Sequence, residues 1–150
     1  MASATFVPTH RPDPLPGARL LGLEGKDEFE VAERIHGGLP TDSVTRLAEA
    51  LGLAEGRILE VLDLTASTHH DRKRRGRPLS PEASSRVYRV AKTVDAARDF
   101  FEGDEDAGRR WLLGPKLALG GATPLAFART PEGSDYVIKL LGRMEHGIVS

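Results

Sequence analysis

Cysteine is absent from the 150-residue sequence, and neither sign of charge is in clear excess. Without cysteine the chain can form no disulfide, no thiolate zinc site and no thiol nucleophile, which fits a reducing cytoplasm. With 21 Lys and Arg against 22 Asp and Glu, a uniformly basic coat for nucleic acid is excluded. No apolar run approaches the ~20 residues of a transmembrane helix, and residues 1–17 lack the apolar stretch of a secretory signal. We therefore expect a cytoplasmic protein without membrane contact.

The usual catalytic motifs are missing as well. The sequence contains no G-x-S-x-G nucleophile elbow, no P-loop and no H-E-x-x-H zinc motif. Residues 102–106 are rich in carboxylates, which could suggest a metal site, but carboxylates at the start of a helix also cap its backbone and favour its dipole. His69 and His70 are adjacent, so they point to different sides of a helix and are poorly placed to share a metal. The sequence predicts no enzyme, no metal and no cofactor.

What the sequence does contain is a series of apolar residues at helical spacing, with no convincing strand pattern. Prolines at positions 8, 12, 14 and 16 break helices, so residues 1–25 are predicted to form an extended, mobile arm. The expected fold is all-α, with short helices in residues 26–80, a connecting helix over 81–103 and a small helical half over 104–150. The predicted helices cover about 27–37, 43–51, 54–62, 66–75, 81–101, 104–113 and 130–145, with a short turn from Thr123.

Short helices joined by tight turns indicate a helix-turn-helix, and two registers are possible. In the first, helices 43–51 and 54–62 pair around Gly52, but the second helix then presents Glu55 and Glu60 to repulsive phosphates. In the second, helices 54–62 and 66–75 pair, and Asp63 takes the turn position that glycine usually occupies.

We prefer the second register because its second helix is rich in donors for phosphates and base edges, His69 among them. Five of the six residues 72–77 are Lys or Arg. A solvated linker or a bundle without a DNA role would explain the same residues. The residues predicted to contact DNA are Ser67, Thr68, His70, Arg72, Lys73, Arg74, Arg75 and Arg77.

From Ala107 to Gly147 the sequence carries a set of spaced elements in one unbroken register. They are Trp111-Leu112, Pro115, Leu119-Gly120-Gly121, Pro124, Thr130, Gly133, Val137, Leu141, Arg143 and Gly147. This segment closely resembles the toxin-binding domain of the Xre/MbcA/ParS antitoxins. Upstream, Leu79-Ser80-Pro81-Glu82 and the helix over 81–101 resemble the connection between the two halves in that family.

The resemblance implies an antitoxin of a type II toxin–antitoxin system, with an Xre-like helix-turn-helix in its N-terminal half. In this family the C-terminal domain grips the toxin, and members paired with RES-domain toxins neutralise an NAD-consuming enzyme by covering its active-site region. We expect a homodimer that also binds operator DNA as an autorepressor. The residues expected to bind toxin are Gly120, Gly121, Arg143, Glu145, His146, Gly147, Ile148 and Ser150.

Other interpretations of the same residues stay open at this point. Gly120-Gly121 suits positive backbone angles or a close backbone approach, and Trp111 can anchor a small core, so much of the motif could be folding information. The plausible neighbours of Trp111 in that core are Leu112, Leu125, Phe127, Val137, Leu140 and Leu141. The chain could instead be a stand-alone transcription regulator whose C-terminal half only dimerises. It could also be a pure inhibitor whose helix-turn-helix is vestigial.

Overall fold

The computed structural model describes residues 15–147 of the chain. This part contains eight α-helices and one 3₁₀ turn, joined by turns and loops. No strand occurs within that range, and the predicted all-α fold is confirmed. None of the helices in residues 15–147 has the length and hydrophobicity that crossing a membrane requires. The helices are α1 (Glu28–Gly37), α2 (Asp42–Leu51), α3 (Glu55–Val61), α4 (Ala66–Arg74), α5 (Pro81–Phe100), α6 (Glu105–Leu113), α7 (Pro124–Phe127) and α8 (Pro131–Glu145), with the 3₁₀ turn at Leu117–Leu119.

The helix starts follow from side chains that satisfy free backbone N–H groups. The Ser80 hydroxyl accepts the N–H of Ala83 at 3.1 Å, and Pro81 occupies the first helical position, where a missing N–H costs nothing. Asp104 likewise accepts the N–H of Ala107 at 3.1 Å. The capping interpretation of the acidic segment is therefore confirmed for Asp104.

Helix α5 packs against helices from both halves of the chain. Its buried apolar face runs through Val87, Val90 and Val94, which recur at helical spacing. One continuous hydrophobic cluster joins this face to N-terminal residues such as Ile58 and to C-terminal residues such as Leu125. The two halves thus share one core along α5, and neither is built around a wholly separate one.

A smaller apolar cluster lies beyond this core, in the C-terminal half. Leu119, Val137 and Leu140 form its buried centre. Trp111 is half-buried and packs against both clusters, so it joins the small cluster to the main one. The small core predicted around Trp111 is therefore divided between the two clusters.

The N-terminal segment differs from the predicted mobile arm over residues 15–25. Ala18, Leu21 and Leu23 are buried against the core, and the backbone N–H of Gly17 donates to the Asp95 carboxylate on α5 at 2.5 Å. Burial raises the pKa of Asp95, although the Gly17 hydrogen bond opposes that shift. The prolines exclude a helix here, but they do not prevent a chain of turns from packing. Residues 1–14 of the predicted arm lie outside the described residues.

Two glycines of α8 provide a matched test of how closely this helix packs. A Cβ at Gly133 would overlap the Phe127 carbonyl oxygen, whereas a Cβ at Gly142 would meet nothing within 4 Å. We predict that Gly133→Ala lowers the free energy of unfolding by about 1–3 kcal/mol through overpacking. Gly142→Ala should raise it by roughly 0.5–1 kcal/mol, because alanine has less backbone entropy to lose in a helix. Urea denaturation measures both, and shifts of the same sign would contradict this packing.

Candidate DNA-binding and partner-binding surfaces

Helices α3 and α4 meet at a tight turn that α5 holds in place. Asp63 in this turn has a φ of 54°, the left-handed conformation that glycine would otherwise supply. The Arg86 guanidinium of α5 donates to the carbonyl oxygens of Leu62 and Asp63 at 3.3 and 3.0 Å. These bonds satisfy the carbonyls that the sharp turn removes from helical pairing, so the angle between α3 and α4 depends on α5.

A buried histidine attaches α4 to α3. His69 is the only buried residue of α4, and its Nε2–H donates to the Glu55 carboxylate across a distance of 2.9 Å. Its Nδ1 atom is buried without a hydrogen-bond partner among the described residues. The sequence analysis counted His69 among the donors available to DNA, and this was wrong because the ring is buried against α3. One sign of this burial was present in the sequence. Residues 66–74 are almost entirely polar, so one of their side chains has to pack against the rest of the protein.

The outer side of α4 exposes most of the residues predicted to contact DNA. Ser67, Thr68 and His70 are exposed, and so are Lys73, Arg74, Arg75 and Arg77. Arg72 differs, because it is half-buried and its guanidinium donates to the Pro78 carbonyl at 2.8 Å. The structure therefore brings the predicted set together on one helix and the loop after it, with Arg72 also holding that loop.

Carboxylates partly compensate this basic surface. Asp71 lies 2.6 Å from the Arg74 guanidinium and 3.2 Å from that of Arg75, and Glu55 lies 3.9 Å from the Lys73 ammonium. Such exposed pairs are weak, so their cations can exchange partners with a phosphate. On α3, by contrast, Arg57 is the single basic residue, and it also forms an exposed pair, with Glu60 at 3.2 Å. The exposed donors are thus concentrated on α4, which favours the α3–α4 register over the α2–α3 register.

The double glycine in the C-terminal half closes a small loop over residues 116–122. Gly120 and Gly121 have φ angles of 64° and 90°, so the positive backbone angles predicted there are confirmed. The Gly121 N–H donates to the Lys116 carbonyl at 2.9 Å, and the Lys116 N–H donates to the Ala122 carbonyl at 3.1 Å. The loop displays Leu117, which is 99% exposed. Leu117 was not among the predicted site residues, although an apolar residue three positions before a double glycine is a usable signal.

The end of α8 exposes the other residues expected to bind toxin. Arg143, Glu145, His146 and Gly147 lie at the surface there, whereas Ile148 and Ser150 lie outside the described residues. Met144 packs on the same small cluster that buries Leu119. The 116–122 loop and the end of α8 therefore border one apolar cluster, and together we call them the C-terminal surface.

Comparison with known families matches two segments of the chain to two different domains, and the boundary between the matches falls within α5. Residues 30–92 match the sequence model of the antitoxin Xre-like helix-turn-helix domain. Residues 96–147 match that of the antitoxin Xre/MbcA/ParS C-terminal toxin-binding domain. The first match contains the α3–α4 pair, and the second contains the C-terminal surface.

Curated relatives are similar to this chain over most of its length. The protein named "Antitoxin Xre" from Photorhabdus laumondii subsp. laumondii is 29% identical over 145 residues, which cover 97% of this chain and 98% of the relative. A protein of the same name from Yersinia enterocolitica is 27% identical over 132 residues, covering 88% and 89%. The "Prs ADP-ribosylating antitoxin" of a Sphingobium species is 30% identical over 118 residues, covering 73% and 74%.

The two adjacent histidines of α4 allow the attachment of this helix to be tested. We predict that His69→Ala lowers the free energy of unfolding by about 2 kcal/mol, because it opens a cavity and leaves Glu55 without its donor. His70→Ala removes an exposed ring one position away and should change stability by less than about 0.5 kcal/mol. Chemical denaturation of both variants measures the difference. Equal losses of stability would mean that His69 does not hold α4.

Proposed function

This chain belongs to the Xre/MbcA/ParS antitoxin family, and from that premise we propose that it neutralises a RES-domain, NAD-consuming toxin and represses its own operon. It is an antitoxin with a helix-turn-helix DNA-binding domain. We assign toxin binding to residues 104–150 and DNA binding to residues 26–80, with 81–103 connecting them. The system is of type II, in which the antitoxin binds the toxin directly, and the chain itself contributes no catalysis and no cofactor.

The observation that carries this proposal is that two exposed surfaces, the outer side of α4 and the C-terminal surface, are built on one shared core. The outer side of α4 presents hydroxyl, imidazole and guanidinium groups, which suit phosphates and base edges. The C-terminal surface lies in the separately matched toxin-binding segment. Because α5 packs against both halves, one chain can hold toxin and operator at the same time.

The chemistry proposed for the partner has support from one relative. The Sphingobium protein is named as a Prs ADP-ribosylating antitoxin. ADP-ribosylation takes its ADP-ribose group from NAD, so the name and the family resemblance both lead to an NAD-consuming enzyme. We propose that the C-terminal surface covers the active-site region of such a toxin. The residues that would bind the toxin are Leu117, Gly120, Gly121, Arg143, Glu145, His146 and Gly147, continued by Ile148 and Ser150.

We further propose that the DNA-bound form is a homodimer. A dimer places two α4 helices against two half-sites, and this doubling offsets the small basic surface of a chain with a net charge of −1. Ser67, Thr68 and His70 would supply readout of base edges. Lys73, Arg74, Arg75 and Arg77 would bind phosphates, while Arg72 holds the loop after α4.

Salt dependence tests the DNA-binding half. The triple variant Arg74→Gln, Arg75→Gln and Arg77→Gln should lower the slope of log affinity against log salt by about one for each phosphate that is no longer bound. The probe is a duplex of the promoter region of the chain's own gene. A triple variant of equal charge on the C-terminal half, Arg110→Gln, Arg129→Gln and Lys139→Gln, should keep the wild-type slope. An unchanged slope for the α4 variant would indicate a vestigial helix-turn-helix.

Neutralisation is tested with a RES-domain toxin encoded beside the gene. The full chain should stop NAD consumption by the purified toxin at a stoichiometric ratio. Leu117→Ser should weaken toxin binding roughly tenfold or more, because burying a leucine side chain contributes about 1.5–3 kcal/mol. Phe29→Ser removes an apolar side chain that is also exposed, at 69%, but lies on α1 in the other half, and it should bind normally. Undiminished NAD consumption at saturating chain would overturn the proposed partner.

A further inference from the structure

A cleft of about 470 Å³ opens beside α4, between the N-terminal segment, the start of α2 and the loop over residues 76–78. Four of its lining side chains are cationic, and one is a carboxylate, Asp42. The cationic residues are Lys26, Arg34, Arg46 and Arg77. Three of these four residues lie outside the α4 surface described above.

The charges in the cleft are only partly compensated from within the protein. The Lys26 ammonium lies 3.9 Å from Glu30, and the Arg46 Nε atom lies 3.3 Å from Asp42. Arg34 and Arg77 form no ion pair with any residue in the range 15–147. An excess of guanidinium groups in a concave site attracts anions, and guanidinium forks match the oxygens of a phosphate.

The backbone around the cleft also suits an anion. The cleft is lined by residues 40–43, where α2 begins, and helix starts carry partial positive charge. Thr41 occupies the position immediately before α2, where a side chain can cap the helix, but its side chain makes no cap hydrogen bond. On the opposite wall, the Arg46 guanidinium lies against Gly22, where a Cβ would come within 3.3 Å of Nη1. Because glycine has no side chain, the Arg46 guanidinium can lie close to the backbone of the N-terminal segment at Gly22.

Backbone and side-chain bonds hold the cleft at the carboxyl end of α4. The Arg77 N–H donates to the Arg72 carbonyl at 2.8 Å, and the Arg72 guanidinium donates to the Pro78 carbonyl. The Leu79 N–H in turn donates to the Leu39 carbonyl at 2.9 Å, which ties the loop to the start of α2. The cleft therefore lies directly beside the basic carboxyl end of α4. A nucleic-acid backbone bound at that end would pass the cleft.

We propose that this cleft binds a backbone phosphate of the DNA that flanks the segment contacted by α4. The ligand is a phosphodiester, held by Arg34, Arg46 and Arg77 with Lys26 at the edge. This inference rests on the proposed DNA binding and extends it to the N-terminal segment. The segment around Lys26 thereby becomes part of the proposed DNA interface. No sign of this was present in the sequence, because the residues around Lys26 are mostly acidic.

The test compares cleft variants with matched arginines outside the cleft. Arg34→Gln combined with Arg46→Gln should lower the salt slope for the promoter duplex by about one, because the phosphate in the cleft would no longer be neutralised. Arg34→Lys combined with Arg46→Lys keeps both charges and should restore most of the slope, which separates a charge effect from a folding defect. The control pair, Arg19→Gln and Arg110→Gln, lies outside the cleft and should keep the wild-type slope.

The salt slopes and one further measurement separate the possible failures. If the α4 triple variant lowers the slope and the cleft double variant does not, the cleft inference is wrong while the proposed function stands. If the wild-type chain binds no DNA, the cleft inference and the DNA-binding part of the proposed function are both wrong, while the proposed toxin binding is untouched. Inorganic phosphate at millimolar concentration should raise the thermal midpoint of the wild type only slightly. A large rise that the cleft double variant abolishes, with an unchanged DNA slope, would identify a free phosphate as the ligand and overturn the assignment to DNA.

Discussion

The packing of α5 against both halves is the constraint on which the rest of the structure depends. Its apolar face contributes to the shared core, and its buried hydroxyl groups form hydrogen bonds to neighbouring segments. The Ser84 hydroxyl accepts the Leu39 N–H at 2.8 Å, and the Thr93 hydroxyl lies 3.4 Å from that of Ser134 on α8. Because buried polar groups must be paired, these hydrogen bonds allow few alternative registers between α5 and its neighbours. The outer side of α4 and the C-terminal surface are therefore both positioned relative to α5.

The balanced net charge of the chain hides a strong local separation of charge. Basic groups gather on α4 and in the cleft beside it, whereas carboxylates gather over residues 24–33 and around the start of α6. There Glu105 lies 3.4 Å from Arg98 of α5, and the Arg109 guanidinium donates to the Ala50 carbonyl of α2 at 2.9 Å. The Arg109 guanidinium also lies 3.8 Å from both Glu105 and Asp106, so Arg109 connects the acidic segment to the N-terminal half.

Most helix boundaries could be predicted because they depend on local chemistry. Ser80 with Pro81 and Thr130 with Pro131 mark helix starts by their own hydrogen bonding and backbone angles. The N-terminal segment was mispredicted over residues 15–25, because its order comes from packing against α5, far along the chain. The role of His69 escaped sequence reasoning for the same reason, since its partner Glu55 belongs to another helix.

The sequence by itself determined the all-α class, the order of the helices, the family and the positive backbone angles at Gly120 and Gly121. The class, the order of the helices and the backbone angles follow from periodicity, capping and glycine, which act over a few residues, whereas the family follows from the resemblance of residues 107–147. Only the tertiary structure decided that Arg72 holds a loop, that Leu117 is fully exposed and that Lys26 and Arg46 line one cleft with Arg77. These features arise where segments distant in the chain meet, and side-chain packing between such segments leaves no local pattern in the sequence.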